Sequence, residues 1–345
     1  MNFWKKLKNK KGPASRLGGP ILALAPMADV TDAAFRRIIA KYGKFTRPDG
    51  SIGGGPDVMF TEFVSCDGLC SSGRKNLLPI LKYSERERPI VAQVFGAKPE
   101  NFYESAKIIK KLGFDGIDIN MGCPDKDIEK SGGGAALIKN PKLAQEIIRA
   151  TKRGAPSLPV SVKTRIGYSG NEIKEWLPAL LQEDLAALTV HLRTRNEMSD
   201  VPAHWELARD ILAMRNEYAP GTILLGNGDV SNLTEAKEKI KESGFDGVML
   251  GRGIFGNPWL FSGRIPSLKE RLEVMIEHTE LFEKIFKSGE DKENGGLKNF
   301  DVMKKHFKAY VTGFDGAKDL RVMLMGTKNA SEVRYITETF LKNKQ

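Results

Sequence analysis

A repeated alternation between two kinds of segment constrains this chain more than any other feature. Short runs rich in Val, Ile, Leu and Ala recur along residues 20–260, and the stretches between them have helical periodicity. Strands that alternate with helices are typical of a parallel sheet, because each helix returns the chain to the same edge. Eight such runs are enough to close a barrel, so the predicted fold class is α/β, a (β/α)8 TIM barrel. The predicted strands are residues 21–27, 58–64, 90–95, 116–121, 160–164, 187–192, 222–226 and 247–250.

Asparagine, proline and glycine mark the ends of the predicted helices. Asn140 precedes Pro141 as a capping residue precedes a first-turn proline, and Gly154 ends the same helix. The tetrapeptide Gly-Phe-Asp-Gly occurs at residues 113–116 and again at 244–247, before the fourth and the eighth strand. It is either an internal repeat half a barrel apart or a common helix-to-strand turn. Residues 46–56 are rich in glycine, proline and polar residues, which predicts a loop inserted before the second strand.

The strand pattern stops near residue 265. Helical patterns over residues 268–285 and 300–311 follow it, on either side of a polar break at 287–299. The predicted organisation is therefore a basic N-terminal tail (1–19), the barrel (20–264) and a small helical domain (265–345).

Length and composition fit this organisation. A chain of 345 residues suits one barrel of about 250 residues with an appendage. No apolar run is long enough to cross a membrane, and no such run follows the basic opening segment, so we expect a cytoplasmic protein with no membrane contact. Three cysteines are too few for a disulfide framework, and no His/Cys spacing suggests zinc, so we expect free thiols and no metal site.

The net charge of +11 is concentrated near the two ends of the chain. Six basic residues lie in the first sixteen, and ten lysines and arginines face five acidic residues over 298–345. A predicted helix there carries Lys304, Lys305 and Lys308 together with His306 and Tyr310. Such a face can bind phosphates, although a solvated helix face or a solubilising tail would have the same composition.

The predicted strands end in polar residues, and a barrel of this kind places its active site at those ends. Glycine-rich segments follow the seventh and eighth strands, where backbone amides commonly bind a phosphate. The strand-end residues are 26–28, Glu62, Gln93, Asn120, Cys123, Lys163, Arg165, His191, Arg193, 227–229 and 251–253.

Three of these side chains have chemistry of their own. Lys163 can neutralise an anion or an electron-rich ring, or it can extend to solvent. His191 is either a pocket residue or a hydrogen-bonded structural one. Cys123, on a loop bounded by glycine and proline, is a candidate acid, base or nucleophile, with a buried inert thiol as the alternative.

Taken together, the motifs resemble the tRNA-dihydrouridine synthases. The resemblance runs in order from about residue 20 to residue 260. It rests on residues 25–28 with Thr31-Asp32 and Phe35-Arg36, then on 92–96, 120–124, 132–137, 162–165, 190–191, 193–195, 226–230 and 251–253.

The resemblance implies an FMN cofactor and a reaction. Pro26, Met27 and Ala28 would lie under the flavin ring, Gln93 and Lys163 at its polar edge, with His191 nearby, and Asn227, Gly228, Asp229, Gly251 and Arg252 towards the phosphate. NADPH, or NADH in its place, would reduce FMN, and hydride would pass to C6 of a flipped-out tRNA uracil while Cys123 protonates C5. Asn120 and Arg165 would contact the uracil, and the helical domain, with Lys304, Lys305 and Lys308, would bind tRNA. No protein partner is implied.

The chain departs from the family pattern at Leu192, where glycine is usual, and over residues 196–202. These departures fall in the loop on the substrate side. The insertion at residues 46–56 is also atypical of the family, so the resemblance does not indicate which uridine is reduced. Two other hypotheses compete with it. An FMN barrel that reduces a free pyrimidine or another small unsaturated compound would share the cofactor residues, and a redox-inactive RNA-binding protein would share the basic helical domain.

Overall fold

A barrel of parallel strands forms the body of the protein in the computed structural model, which describes residues 2–9, 20–286 and 298–344. The strands are hydrogen-bonded in the order β1-β11-β10-β9-β8-β7-β6-β4, with β5 beside β6. A bridge between Ala23 of β1 and Val58, the residue before β4, nearly closes the ring. The strands are Ile21–Leu24 (β1), Lys44–Thr46 (β2), Ile52–Gly54 (β3), Met59–Phe60 (β4), Val64–Ser65 (β5), Ile90–Phe95 (β6), Gly116–Met121 (β7), Val160–Arg165 (β8), Ala187–His191 (β9), Ile223–Asn227 (β10) and Gly247–Leu250 (β11).

The predicted (β/α)8 TIM barrel is confirmed. Apolar residues alternate between the barrel interior and the layer under the helices, which is why the strands have near-continuous apolar sequences. The second strand, predicted as residues 58–64, is divided in two. Thr61 and Glu62 lie at the division, and their side chains bond to groups outside the strand: Thr61 accepts the N–H of Gln93, and Glu62 accepts the ammonium group of Lys298.

Helices surround the barrel and continue beyond it. None of those in the described part of the chain has both the length and the apolar character of a membrane span. After the last strand, α11 packs against α2 of the barrel and against α14. The helices are Phe3–Asn9 (α1), Ala33–Tyr42 (α2), Cys66–Leu69 (α3), Arg74–Leu77 (α4), Pro99–Lys111 (α5), Lys126–Lys130 (α6), Pro141–Gly154 (α7), Ile173–Leu181 (α8), Ala208–Tyr218 (α9), Leu233–Ser243 (α10), Leu268–Phe286 (α11), Val302–Tyr310 (α12), Ala317–Met325 (α13) and Ala330–Lys342 (α14).

The beginning of the chain is helical, where the sequence predicted a basic tail. Trp4 of α1 is only 1% exposed and joins the interior cluster of the barrel with Phe60 and Met249. Leu7, one helical turn later, packs against the same cluster. This packing orders α1, because burying a tryptophan removes a large apolar surface from water. Residues 10–19 of the predicted tail lie outside the described residues.

Residues 46–56 were predicted to be a loop, but they complete a short hairpin. β2 and β3 pair antiparallel, and the turn between them contains Gly50 at a φ of 79°. The ring of Phe45 lies against Gly53, where a Cβ would be only 2.7 Å from the ring. The pairing thus depends on glycine, a residue with low strand preference. Of the predicted polar break, residues 287–297 lie outside the described residues.

The two Gly-Phe-Asp-Gly segments have the same structural role. Gly113 and Gly244 both adopt left-handed φ angles, of 81° and 70°. The Asp115 carboxylate then accepts the N–H of the first residue of β6 at 2.8 Å. Asp246 accepts the N–H of Leu224 in β10 at 2.9 Å. Each aspartate therefore fixes the start of the strand that neighbours its own.

Candidate active site

A cavity of about 530 Å³ opens at the carboxyl ends of the barrel strands. Lys163, His191 and Asn227 reach it from three neighbouring strands, β8, β9 and β10, whose ends lie in register. Of the residues predicted to hold a cofactor, it is lined by Pro26, Met27, Lys163, His191, Asn227, Gly228, Asp229, Gly251 and Arg252.

One end of the cavity is formed by glycine-rich backbone after β10 and β11. Gly228 has a φ of 120°, and a Cβ there would lie 2.8 Å from that of Ala203. At Gly253 a Cβ would lie 2.4 Å from the carbonyl oxygen of Ser231. Within the described residues, the backbone N–H groups of Gly228, Asp229 and Arg252 donate to no other group. Unused amides in a glycine cradle are the donors that a phosphate requires.

Asp229 organises the cations at this end. Its carboxylate accepts hydrogen bonds from Arg193 and from Arg252, the latter at 3.0 Å, and from the N–H of Ala203 at 2.8 Å. Burial would raise the pKa of Asp229, but these donors hold it below its usual value. Arg193 lines the cavity, although no cofactor role was predicted for it. Its position two residues after His191, just beyond the end of β9, could have indicated that it faces the cavity.

Lys163 faces the cavity as an unpaired cation. No hydrogen bond or ion pair joins its ammonium group to another described residue. Burial, together with the positive charge of Arg165, lowers the pKa of Lys163 to about 8. A desolvated cation without a partner favours an anionic or electron-rich ligand beside it.

His191 is neutral and has a defined tautomer. Its Nε2 lies 3.2 Å from Nη1 of Arg193, and because arginine only donates, Nε2 must accept and the proton lies on Nδ1. Burial and the nearby charge of Lys163 hold the pKa of His191 well below its ordinary value. The ring can therefore donate one hydrogen bond, from Nδ1.

Gln93 and Asn120 belong to a buried polar network and do not line the cavity. The amide of Gln93 donates to Asp118 at 2.7 Å, and the amide of Asn120 donates to Gln93 at 3.3 Å. Ser161 donates to the other Asp118 oxygen at 2.6 Å. Burial raises the pKa of Asp118 to about 6. Sequence reasoning missed this aspartate, although one acidic residue in an apolar strand was a signal for it.

The loop that carries Cys123 is fixed by three hydrogen bonds. Asn120 accepts the N–H groups of Gly122 and Cys123 at 3.1 and 2.9 Å. The carbonyl oxygen of Cys123 accepts the N–H of Ala135 at 2.9 Å. A Cβ at Gly134 would lie 2.7 Å from that oxygen, so the loop approaches a glycine backbone. Burial raises the pKa of Cys123, which keeps the half-buried thiol protonated at neutral pH.

Arg165 supports the same loop. Its Nε donates to the carbonyl oxygen of Gly122 at 2.8 Å, and its Nη1 donates to those of Thr194 and Met198 at 2.8 and 3.2 Å. Burial lowers its pKa to about 10. These bonds tie the Cys123 loop to the loop after β9. They use Nε and Nη1, so Nη2 is the nitrogen that could make the predicted contact with a substrate.

The remaining predicted residues lie away from the cavity. Ala28 is exposed on the turn after β1. On α12, Lys304 pairs with Asp301 at 2.7 Å, and Lys305 and Lys308 are exposed. His306 and Tyr310, grouped with them on sequence, are buried and belong to the packing of the helices. Among the described residues, no group of three or more His, Cys, Asp or Glu side chains is arranged to hold a metal ion.

Comparisons with known proteins show similarity to dihydrouridine synthases along nearly the whole chain. The family model for dihydrouridine synthase matches residues 23–345. A probable tRNA-dihydrouridine synthase of Staphylococcus aureus (strain MRSA252) is 42% identical over 343 residues, which are 98% of this chain and 95% of the relative. The probable tRNA-dihydrouridine synthase 2 of Bacillus subtilis (strain 168) is 40% identical over 98% of this chain and 96% of the relative.

Solved structures share the fold at low identity. Histamine dehydrogenase from Rhizobium sp. 4-9 is 14% identical with a TM-score of 0.51, over 81% of this chain and 51% of that one. A 2-naphthoyl-CoA reductase complex is 10% identical with a TM-score of 0.53, over 75% of this chain and 52% of that chain. This chain spans about half the length of those two proteins, and the likeness supports the barrel alone. The family match and the relatives' identity establish more: the chain belongs to the dihydrouridine synthase family of oxidoreductases.

Proposed function

We propose that this protein is an FMN-dependent tRNA-dihydrouridine synthase of the cytoplasm. The observation that carries the proposal is a cavity lined by a glycine-rich anion cradle and an unpaired lysine. The protonated thiol of Cys123 is not part of the cavity lining, but it lies close enough to Lys163 for the two groups to interact electrostatically. The substrate class follows the relatives, which are described as tRNA-dihydrouridine synthases.

The residues present fit FMN. The unused N–H groups of Gly228, Asp229 and Arg252 suit its phosphate. Lys163 suits the electron-rich edge of the ring, and the neutral His191 supplies one donor. Pro26 and Met27, which line the cavity, would provide an apolar wall for the ring. When bound, FMN supplies hydride to the substrate after reduction by NADPH or NADH.

Saturation of a uracil needs a hydride at C6 and a proton at C5. Cys123 suits the second role, because its thiol is protonated at neutral pH and its loop is held by hydrogen bonds with Asn120 and with the N–H of Ala135. Arg165 holds the same loop from the other side and keeps the thiol in place. The uracil must leave its stack in the tRNA to enter the cavity, as in other enzymes that act on bases.

The large anionic substrate needs a second contact outside the cavity. Lys305 and Lys308 are exposed on α12, in the helical region beyond the barrel. We assign them, with Lys304, to the tRNA phosphate backbone, which predicts binding that weakens as salt rises.

Incubation with tRNA that lacks dihydrouridine tests the proposal. The purified protein should show an oxidised-flavin spectrum and, with NADPH, should convert one or more uridines to dihydrouridine, read by mass spectrometry of digested tRNA. Free uracil and uridine serve as matched substrates. Turnover of these at the rate for tRNA, or no flavin after reconstitution with excess FMN, would contradict the proposal.

A further inference from the structure

A lysine from the helical region reaches the mouth of the barrel beside the cavity. Lys298 precedes α12, and its Nζ lies 2.9 Å from the Asp29 carboxylate and 2.6 Å from Oε1 of Glu62. The Lys298 side chain is only 9% exposed. Asp29 follows β1 and Glu62 follows β4, so one ammonium group joins two strand ends of the barrel to the segment that leads into α12.

The turn that Lys298 contacts also supports the cavity. Met27 lines the cavity, and Asp29 lies two residues after it. Its φ of 54° is in the left-handed region, which few non-glycine residues adopt, so neighbouring contacts matter for keeping the turn in this conformation. Two contacts do so: the N–H of Asp29 donates to Oε1 of Glu62 at 2.6 Å, and its carboxylate accepts from Lys298.

The charges around Lys298 make it necessary to this arrangement. Burial would lower its pKa, but the carboxylates of Glu62, Asp32 and Asp29 raise it, so it remains an ammonium ion. Oε2 of Glu62 and Oδ2 of Asp32 are buried without a hydrogen-bond partner among the described residues. Removing the Lys298 charge would leave these carboxylates to repel one another at low dielectric, and the turn would have to move.

We propose that Lys298 is a positioning residue for the cofactor cavity. By docking between Asp29 and Glu62 it holds residues 27–29 in the conformation that supports the flavin ring, so cofactor affinity depends on a residue outside the barrel. The inference rests on the proposed function, since it takes the ligand to be FMN. Lys298 acts through the turn and is assigned no contact with substrate.

A second lysine offers a matched control. Lys41 of α2 pairs with Glu277 of α11 at 2.8 Å, so it too joins the barrel to the helical region. Both side chains are well exposed, at 48% and 38%, and neither lines the cavity. The loss of this pair should therefore weaken the packing of the helices without disturbing residues 27–29.

The experiment compares Lys298→Met, Lys298→Arg and Lys41→Met in the full-length protein. FMN is titrated into the apo-proteins and Kd is read from quenching of flavin fluorescence, with visible circular dichroism of the bound flavin and thermal midpoints in parallel. Lys298→Met should raise Kd by about tenfold, the factor that corresponds to 1.4 kcal/mol, and should alter the visible dichroism. Lys298→Arg should restore both, and Lys41→Met should lower only the thermal midpoint.

An unchanged Kd and dichroism in a folded Lys298→Met variant would overturn the inference, since Lys298 would then be a structural tie like Lys41. If Lys298→Met does not fold, Asp29→Asn decides, because asparagine tolerates the left-handed φ but loses the charge that Lys298 binds. Its Kd should also rise, and an unchanged value would overturn the inference. If the parent protein binds no FMN, the proposed function and this inference fail together.

Discussion

Acid is expected to weaken the packing between the barrel and the helices that follow it. His278 of α11 and His306 of α12 are fully buried there, with ring centroids 4.6 Å apart; the ring of Phe35 stacks on His278 and meets His306 edge to face. Neither imidazole has a hydrogen-bond partner among the described residues. Burial, with the charges of Lys305 and Lys298, lowers the pKa of His306 to about 3, although Asp29 acts in the opposite direction.

The sign and size of the effect follow from that pKa. The unfolded chain binds a proton at His306 below pH 6.5, whereas the folded protein does not until about pH 3, so stability is complete above about pH 6.5 and falls as the pH is lowered. At pH 5 the difference amounts to about 2 kcal/mol of unfolding free energy for His306 alone. His278, whose pKa burial also lowers, adds to it.

Urea unfolding of the parent and of His306→Phe, at pH 8 and pH 5, measures this loss. Phenylalanine keeps the aromatic packing and cannot titrate, so the variant should lose about 2 kcal/mol less than the parent on acidification. The comparison is needed because the carboxyl groups of Asp32 and Asp118, with pKa values raised to about 6, stabilise the folded state as the pH falls. Equal losses in the two proteins would mean that His306 does not resist protonation in the folded state.

Two further predictions concern binding. Gly228→Ala should weaken FMN binding at least tenfold in a fluorescence titration, because a Cβ would strain a φ of 120° and press on Ala203; parental affinity would remove this loop from the phosphate site. Lys305→Ala with Lys308→Ala should lower tRNA affinity and reduce the slope of log Kd against log salt by about 0.7 to 0.9 per lost contact, with NADPH oxidation intact. Lys107→Ala, an exposed lysine on α5, is the control, and an unchanged slope would exclude α12.

Much of the fold was predictable because the barrel imposes a periodic sequence. Each barrel strand is buried on both faces, so apolar runs locate these strands, and polar residues such as Lys163 and His191 at their ends locate the cavity. The hairpin over residues 44–54 was missed because its strands have three residues each and two of the three residues of β3 are glycine. The helix that carries Trp4 was missed because only contacts with distant strands order it.

The contacts around the site were less predictable than its residues. Arg165 bonds to carbonyl oxygens of residues 122, 194 and 198, partners that no local pattern identifies. His306 was grouped with the lysines of α12, yet it faces Phe35 of the barrel, because a charged helix face says nothing of what its other face meets. Lys298 was likewise counted only as one more positive charge, although it is almost buried and forms ion pairs with Asp29 and Glu62.

Whether Cys123 supplies the proton is tested most directly in a single turnover with pre-reduced flavoprotein and tRNA that lacks dihydrouridine. Cys123→Ala should bind FMN and accept hydride from NADPH as the parent does, because neither step needs the thiol, but it should form dihydrouridine at least about 100-fold more slowly. Cys70→Ala, a half-buried thiol beside Ser105, should match the parent. A parental rate for Cys123→Ala would mean that the proton comes from another group, and the assignment of Cys123 would be wrong.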